Sequence, residues 1–81
     1  MFTVYAIYSL KRNYIYVGLT SNLENRLERH NAGREKTTRP YLPFKIIYTE
    51  VHPDRKSARK REKYWKSGIG KEKLLQFRDK L

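Results

Sequence analysis

Apolar and polar positions alternate from the first residues of the chain. Phe2, Val4, Ala6 and Tyr8 fall on one side of a two-residue repeat and Thr3, Tyr5 and Ile7 on the other, with no breaker among them. That pattern predicts a strand from Phe2 to Leu10. Lys11-Arg12-Asn13 interrupts it and Tyr14 to Leu19 resumes it, so the two runs predict an antiparallel hairpin that carries Tyr5 and Tyr16 in one sheet. The period then lengthens. Ser21-Asn22-Leu23-Glu24 fits a capping box, in which the Ser21 hydroxyl takes a helical N–H and Glu24 reaches back. A helix is expected from about Asn22 to Asn31, with Gly33 placed to end it in a left-handed conformation. On that helix Leu23, Leu27 and His30 share a stripe, Arg26 flanks it at roughly 60°, and Glu24 and Glu28 occupy another face.

Residues 33–43, GREKTTRPYLP, hold two prolines and no period, and read as an exposed basic loop. Phe44 to Val51 is the third strand. Pro53 and Asp54 suit the first turn of a second helix, which should continue to about Ser67 before Gly68 and Gly70 interrupt it. Lys71 to Lys80 is then a short last helix with Leu74, Leu75 and Phe77 available for packing. The order β-β-α-β-α-α predicts an α+β fold, a small three-stranded antiparallel sheet flanked by helices. With 81 residues and no repeat or linker, a single domain over 1–81 is expected.

Composition narrows the partners. Nineteen Lys and Arg against eight Asp and Glu give a net charge of +11, more than solubility requires, and point to a polyanion. The excess is concentrated late: residues 54–81 carry eleven basic and four acidic groups. A membrane surface would want a broad apolar helix face, which DRKSARKREKYWKSG lacks; nucleic acid is the expected partner and a membrane is not. Cysteine is absent, which excludes disulfides and thiolate–zinc sites and suits a reducing, cytoplasmic setting. The N-terminus shows neither a basic leader nor a long apolar run, so a soluble, unprocessed chain is expected.

Within this frame a few side chains carry chemistry. Glu62 stands among Arg59, Lys60, Arg61 and Lys63, yet at 100° per residue it falls roughly 40° from Ala58 and 60° from Trp65, on the apolar stripe. A carboxylate turned inward must find a cation. A salt bridge, for instance to Arg26, and a divalent metal both satisfy it. Arg26 can offer its planar fork to two phosphate oxygens. His30, at a helix end, can cap carbonyls or meet substrate. Seven tyrosines mostly suit strands whose rings cover a core. A phenol, with an ordinary pKa of about 10, is a base at neutral pH only where cations lower it.

The words Thr3-Val4-Tyr5 and Tyr16-Val17-Gly18, an arginine ten residues after the second tyrosine, the stretch Arg26-Leu-Glu-Arg-His30-Asn31-Ala-Gly33 and the segment Ala58-Arg-Lys-Arg-Glu62-Lys resemble the GIY-YIG nuclease family, in particular its small stand-alone members. The resemblance covers nearly the whole chain. Thr3 stands where the first motif has glycine, and the asparagine that some larger members carry later has no assigned counterpart. What the resemblance implies is a metal-dependent endonuclease that hydrolyses phosphodiesters of DNA, ahead of RNA. Tyr16 takes or relays a proton from the attacking water with Tyr5 in support. Arg26 steadies the phosphate, His30 completes the catalytic set, and Gly18, Arg29 and Arg34 lie at the substrate. One Mg²⁺ or Mn²⁺ sits on Glu62. Larger relatives, including the incision subunit of bacterial nucleotide-excision repair and homing endonucleases, add modules that choose the target. This chain, expected to be a monomer, would cut with weak sequence specificity, select by shape, or be targeted by a protein partner, in DNA repair or processing. The alternatives are a catalytically idle nucleic-acid binder and, more distantly, a partner-binding module.

Overall fold

The computed structural model describes residues 1–81. Strand β1 (Phe2–Ser9) and strand β2 (Ile15–Thr20) form the hairpin, helix α1 (Leu23–Asn31) follows, and strand β3 (Phe44–His52) returns to the sheet. Helices α2 (Arg55–Lys66) and α3 (Gly68–Asp79) close the chain. The sheet is antiparallel with order β2-β1-β3, so the expected α+β architecture is the observed one. No helix is long and apolar enough to cross a membrane.

The alternation of β1 decides the layering. Val4 and Ala6 face α2 and α3, forming a core with Ile15, Val17, Ala58, Trp65 and Leu74. Tyr5 and Ile7 face the other way and pack with Phe44 beneath Tyr16, Leu23, Leu27, Tyr41 and Leu42. The sheet is thus a partition between two hydrophobic clusters rather than the floor of one. Strand β3 serves both because its pairing with β1 shifts between Ala6 and Ile7. Ala6 opposes Tyr48 but Ile7 opposes Ile46, and the extra residue reverses the side-chain parity. Phe44 therefore packs with Tyr5 while Tyr48 packs with the Trp65 cluster, although both numbers are even.

Three local expectations need correction. The cap of α1 is Asn22 rather than Ser21: the Asn22 side chain accepts the Asn25 N–H at 3.1 Å, and the Thr20 hydroxyl accepts that of Asn22 at 3.1 Å. The loop 33–43 is not simply exposed. It folds inward at Thr38, which is fully buried, and makes a 3₁₀ turn at Arg39–Tyr41. Gly33 does turn left-handed, at φ +75°. Finally, Gly68 and Gly70 do not interrupt a helix but begin α3, whose cap Ser67 accepts the Gly70 N–H at 3.2 Å. A Cβ on Gly70 would stand 2.2 Å from the Tyr64 carbonyl oxygen, so only glycine lets α3 start so close to the end of α2.

On the α2 side of the sheet one carboxylate gathers four neighbours. Glu50 accepts from Trp65 Nε1 at 2.8 Å, from Tyr48 Oη at 3.0 Å, and from Arg61 through Nε and a terminal nitrogen at 2.9 and 3.2 Å. His52 Nε2 completes the set. Burial alone would raise the Glu50 carboxyl, but the hydrogen bonds from Arg61, His52, Trp65 and Tyr48 outweigh it and hold it at about 2. A carboxylate depressed in the folded state stabilises the fold above its unfolded pKa, and that contribution, on the order of 3 kcal/mol, is lost as pH falls toward the folded value. Urea unfolding should therefore show a gap between wild type and Glu50→Gln at neutral pH that closes between about pH 5 and pH 2. A gap constant over that range would mean that the Glu50 charge contributes nothing.

Candidate active site

Tyr5 is the centre of the α1 side. It pairs with Gly18 across the hairpin, and its ring lies over that glycine: a Cβ at 18 would stand 2.5 Å from the Tyr5 hydroxyl and 2.6 Å from Cζ. The expectation that Gly18 admits substrate is corrected, because the space it leaves is filled by Tyr5. So placed, the fully buried phenol meets His30 of α1, Oη to Nε2 at 2.9 Å.

His30 is also fully buried and does not cap its helix. Its Nδ1 lies 2.8 Å from Thr38 Oγ1, which also has the Glu35 carbonyl at 3.5 Å. With the Thr38 proton assigned to that carbonyl, Nδ1–H donates to Thr38 and Nε2 accepts the Tyr5 O–H. Burial lowers the His30 pKa from its ordinary value, with a smaller lowering from Arg26 and Arg29 and an opposing pull from Glu35. The imidazole is therefore neutral at neutral pH. Burial likewise raises the Tyr5 phenol, as does Tyr16; Arg26 lowers it, but by less. The condition for a tyrosinate is not met at Tyr5, which works as a neutral hydroxyl between His30 and whatever approaches from outside.

Tyr16 is what lies outside. It is half-buried on edge strand β2, with its ring centroid 6.2 Å from that of Tyr5 and 5.0 Å from that of His30. Arg26, on the flank of the α1 stripe, is 36% exposed at its side chain. Its Nε is buried with no hydrogen-bond partner, the Glu35 carboxylate standing 3.6 Å away. Arg29 Nε reaches the same carboxylate oxygen at 3.2 Å. Glu35 thus steadies both guanidinium groups through their Nε and leaves the terminal nitrogens of Arg26 for an anion.

Glu62 arrives from the opposite face, where α2 packs on β1 and β2. Its side chain is only 12% exposed, as its place on the Ala58–Trp65 stripe implied, and its one ion pair is with Lys66 at 3.3 Å. Arg26 pairs with Glu35, so the alternative of an Arg26–Glu62 bridge is not what forms. The Glu62 charge still bears on Tyr5, together with Tyr16, Arg26 and Glu35. No cluster of three or more His, Cys, Asp or Glu is present, so Glu62 is a lone carboxylate, and a hard divalent ion held there would fill its shell with water and phosphate oxygens.

Two expected substrate contacts lie apart. Arg34 and Arg29 line, with Asn25, Glu28 and Ala32, a polar hollow of about 390 Å³ on the face of α1 turned from the sheet. Arg29 touches the site only through Glu35, and Arg34 does not. Conversely, the sequence pattern does not single out Glu35 and Thr38. A lone acid between Arg34 and Lys36 is a signal for the first; nothing local marks Thr38 against Thr37.

A family model of the GIY-YIG catalytic domain matches residues 1–74. A UPF0213 protein of Bacillus cereus is 41% identical over 59 residues, 72% of this chain and 62% of that protein. The match therefore spans less than two thirds of that relative. A UPF0213 protein of Streptococcus sanguinis is 33% identical over 67 residues, 82% of this chain and 77% of its own length. One of Staphylococcus haemolyticus is 32% identical over 75 residues, covering 91% and 92%. Among solved structures, the solution NMR structure of the UPF0213 protein BH0048 from Bacillus halodurans superposes with a TM-score of 0.55 at 29% identity, covering 94% of this chain and 84% of that one.

Two substitutions test the buried chain of contacts. Gly18→Ala forces the Tyr5 ring aside, and unfolding should show a loss of about 1–3 kcal/mol together with a changed His30 imidazole signal by NMR. Thr38→Val leaves the His30 Nδ1 unpaired at a cost of about 1–3 kcal/mol and should shift the same resonance while the fold is retained. An unmoved His30 signal in both would mean that the Tyr5–His30–Thr38 chain does not exist in solution.

Proposed function

We propose that this chain, which belongs to the GIY-YIG family of catalytic domains, is a divalent-metal-dependent endonuclease that hydrolyses DNA phosphodiesters, with weak sequence specificity and a preference set by substrate shape. The observation that carries the reading is the cluster around one phenol. Tyr5 is hydrogen-bonded to His30 of α1 at 2.9 Å and its ring centroid lies 6.2 Å from that of Tyr16 on β2, while the charges of Arg26 from α1 and Glu62 from α2 act on it.

Each residue has a task that its surroundings support. Arg26 binds a non-bridging phosphate oxygen through its terminal nitrogens, the side chain being 36% exposed while its Nε is buried beside Glu35. Tyr16, the accessible phenol, meets the attacking water. Tyr5 accepts a hydrogen bond from Tyr16 or water through its oxygen while its own proton lies on His30 Nε2. A proton from the water can thus move inward as Tyr5 passes its own to the imidazole, which makes His30 the base behind the tyrosines. His30 is fully buried, so its part is to receive a proton through Tyr5 and not to touch DNA. Glu62 would hold one Mg²⁺ or Mn²⁺, which when bound supplies positive charge to the phosphate and the leaving oxygen.

The pairing of Glu62 with Lys66 favours one second reading, a catalytically idle nucleic-acid binder in which Glu62 only anchors a lysine. For the nuclease we assign a cytoplasmic role in DNA repair or processing, as a monomer targeted by a protein partner.

Labelled single-stranded, duplex and branched DNA incubated with Mg²⁺, Mn²⁺ or EDTA decides between the two. Metal-dependent product is expected. Tyr16→Phe should slow cleavage on the order of 10²-fold or more, Arg26→Ala about 10²- to 10³-fold, and Glu62→Gln should remove activity and metal dependence together while the fold persists. Undiminished rates in Tyr16→Phe and Arg26→Ala would move the site elsewhere. Salt-sensitive binding without product under any metal would establish the idle binder.

A further inference from the structure

Helix α2 carries more than Glu62. Arg55, Lys56, Arg59, Lys60 and Lys63 line an open groove of about 550 Å³ with no other residue contributing, and none of the five takes part in an ion pair. Charge runs on helices are ordinarily solvated faces laced with acids. Here the acid within reach, Glu62, is taken by Lys66. Three like-charged pairs stand at i,i+4 (55 and 59, 56 and 60, 59 and 63), a spacing that disfavours the helix unless a counter-charge lies across it.

We propose that this face of α2 is a rail for the phosphate backbone of a duplex segment, continuous with the Glu62 site. The continuity follows from helical geometry. Taking Arg55 as zero, Glu62 lies at roughly −20°, Arg59 at 40°, Lys63 at 80°, Lys56 at 100° and Lys60 at 140°. Glu62 thus borders the stripe on its inner side. Arg55 to Lys63 rises about 12 Å, a length over which one strand of a duplex presents about three or four phosphates. Duplex is favoured over single strand because the stripe offers no platform for bases. Trp65 is buried, the Tyr64 ring lies beneath Arg61 and Lys73, and Phe2 lies beneath Arg55. With the metal ligand and the rail on one rigid helix, a strand crossing Glu62 runs toward the N-terminus of α2, and its flanking duplex is held there. This direction rests on the nuclease reading; the rail itself does not.

Binding of a short labelled duplex, and of a single strand of equal length, is measured over a series of salt concentrations without divalent metal. Wild type is compared with the triple variant Arg59→Gln, Lys60→Gln, Lys63→Gln and with an equal-charge control, Lys11→Gln, Lys45→Gln, Lys80→Gln, each checked for native circular dichroism. The α2 variant should lose about 0.9 of salt slope per cation on duplex, about 2.7 in total, and at least about tenfold in affinity, with the control close to wild type. Equal slopes in the two variants would overturn the rail. An equal loss on single strands would overturn its assignment to duplex. The assay reads no cleavage, so a protein that binds along α2 and cuts nothing keeps the rail and sinks the nuclease, whereas one that cuts with an unchanged slope does the reverse.

Discussion

The hydrogen bond between Tyr5 and His30 is the contact on which the α1 side of the molecule depends. It joins the central strand to a helix 25 residues away, and both partners are fully buried. Buried polar groups are tolerated only when paired, so the bond obliges everything around it. Gly18 must lack a side chain for the Tyr5 ring to lie where it does. Thr38 must be inside to occupy Nδ1, and the loop that carries it must therefore fold against α1. Asn31 closes the same helix end by exchanging hydrogen bonds with both backbone groups of Phe44. The arrangement also shapes the chemistry: a buried phenol raised by its surroundings, beside an imidazole lowered by its own, rests neutral and holds a proton taken from outside only transiently.

The other face of the sheet is held by a different principle. Around Glu50 the charge is kept and surrounded by donors, Arg61, Trp65, Tyr48 and His52. One face thus buries neutral polar groups in a line open to solvent at Tyr16, and the other gathers a half-buried ion pair into a knot of donors. The β3 shift is what allows one strand to feed both. The knot also places Arg61 and Trp65 on α2, which orients that helix about its axis. Glu62, the next residue after Arg61, is thereby set at the border between core and solvent with its side chain mostly covered.

Much of this was legible in the sequence, for physical reasons that can be named. The alternation of β1 sorted Val4 and Ala6 from Tyr5 and Ile7, because side-chain direction follows strand period without help from context. The helical period put Glu62 beside Trp65 and His30 beside Leu27 in the same way. What stayed hidden required contacts between distant residues. The shift in β3 leaves no mark in FKIIYTEV, so the divided loyalties of Phe44 and Tyr48 could not be read. The loop looked exposed because GREKTTRP is polar and proline-rich, yet Thr38 is drawn in by a histidine eight residues earlier. Gly18 reads as room for substrate, whereas the claim on that space comes from Tyr5. Ser67 reads as the end of one helix and is the shared cap of two.

The loop's Glu35 gives the site its remaining logic. A carboxylate beside a phosphate-binding arginine is unfavourable to phosphate, and yet without it Arg26 and Arg29 would repel each other. Its geometry reconciles the two. Arg29 is within ion-pair contact at 3.2 Å, whereas Arg26 is held at 3.6 Å with its Nε–H unfilled. Glu35 therefore neutralises the outer arginine and leaves the inner one under-coordinated. The buried Nε–H is turned to Glu35, which leaves the terminal nitrogens of Arg26 for a phosphate oxygen. The same loop thus supplies the hydroxyl that fixes the His30 tautomer and the acid that holds Arg26 ready, so the proton path and the anion site are organised by one segment, residues 33–43, and rise or fall together.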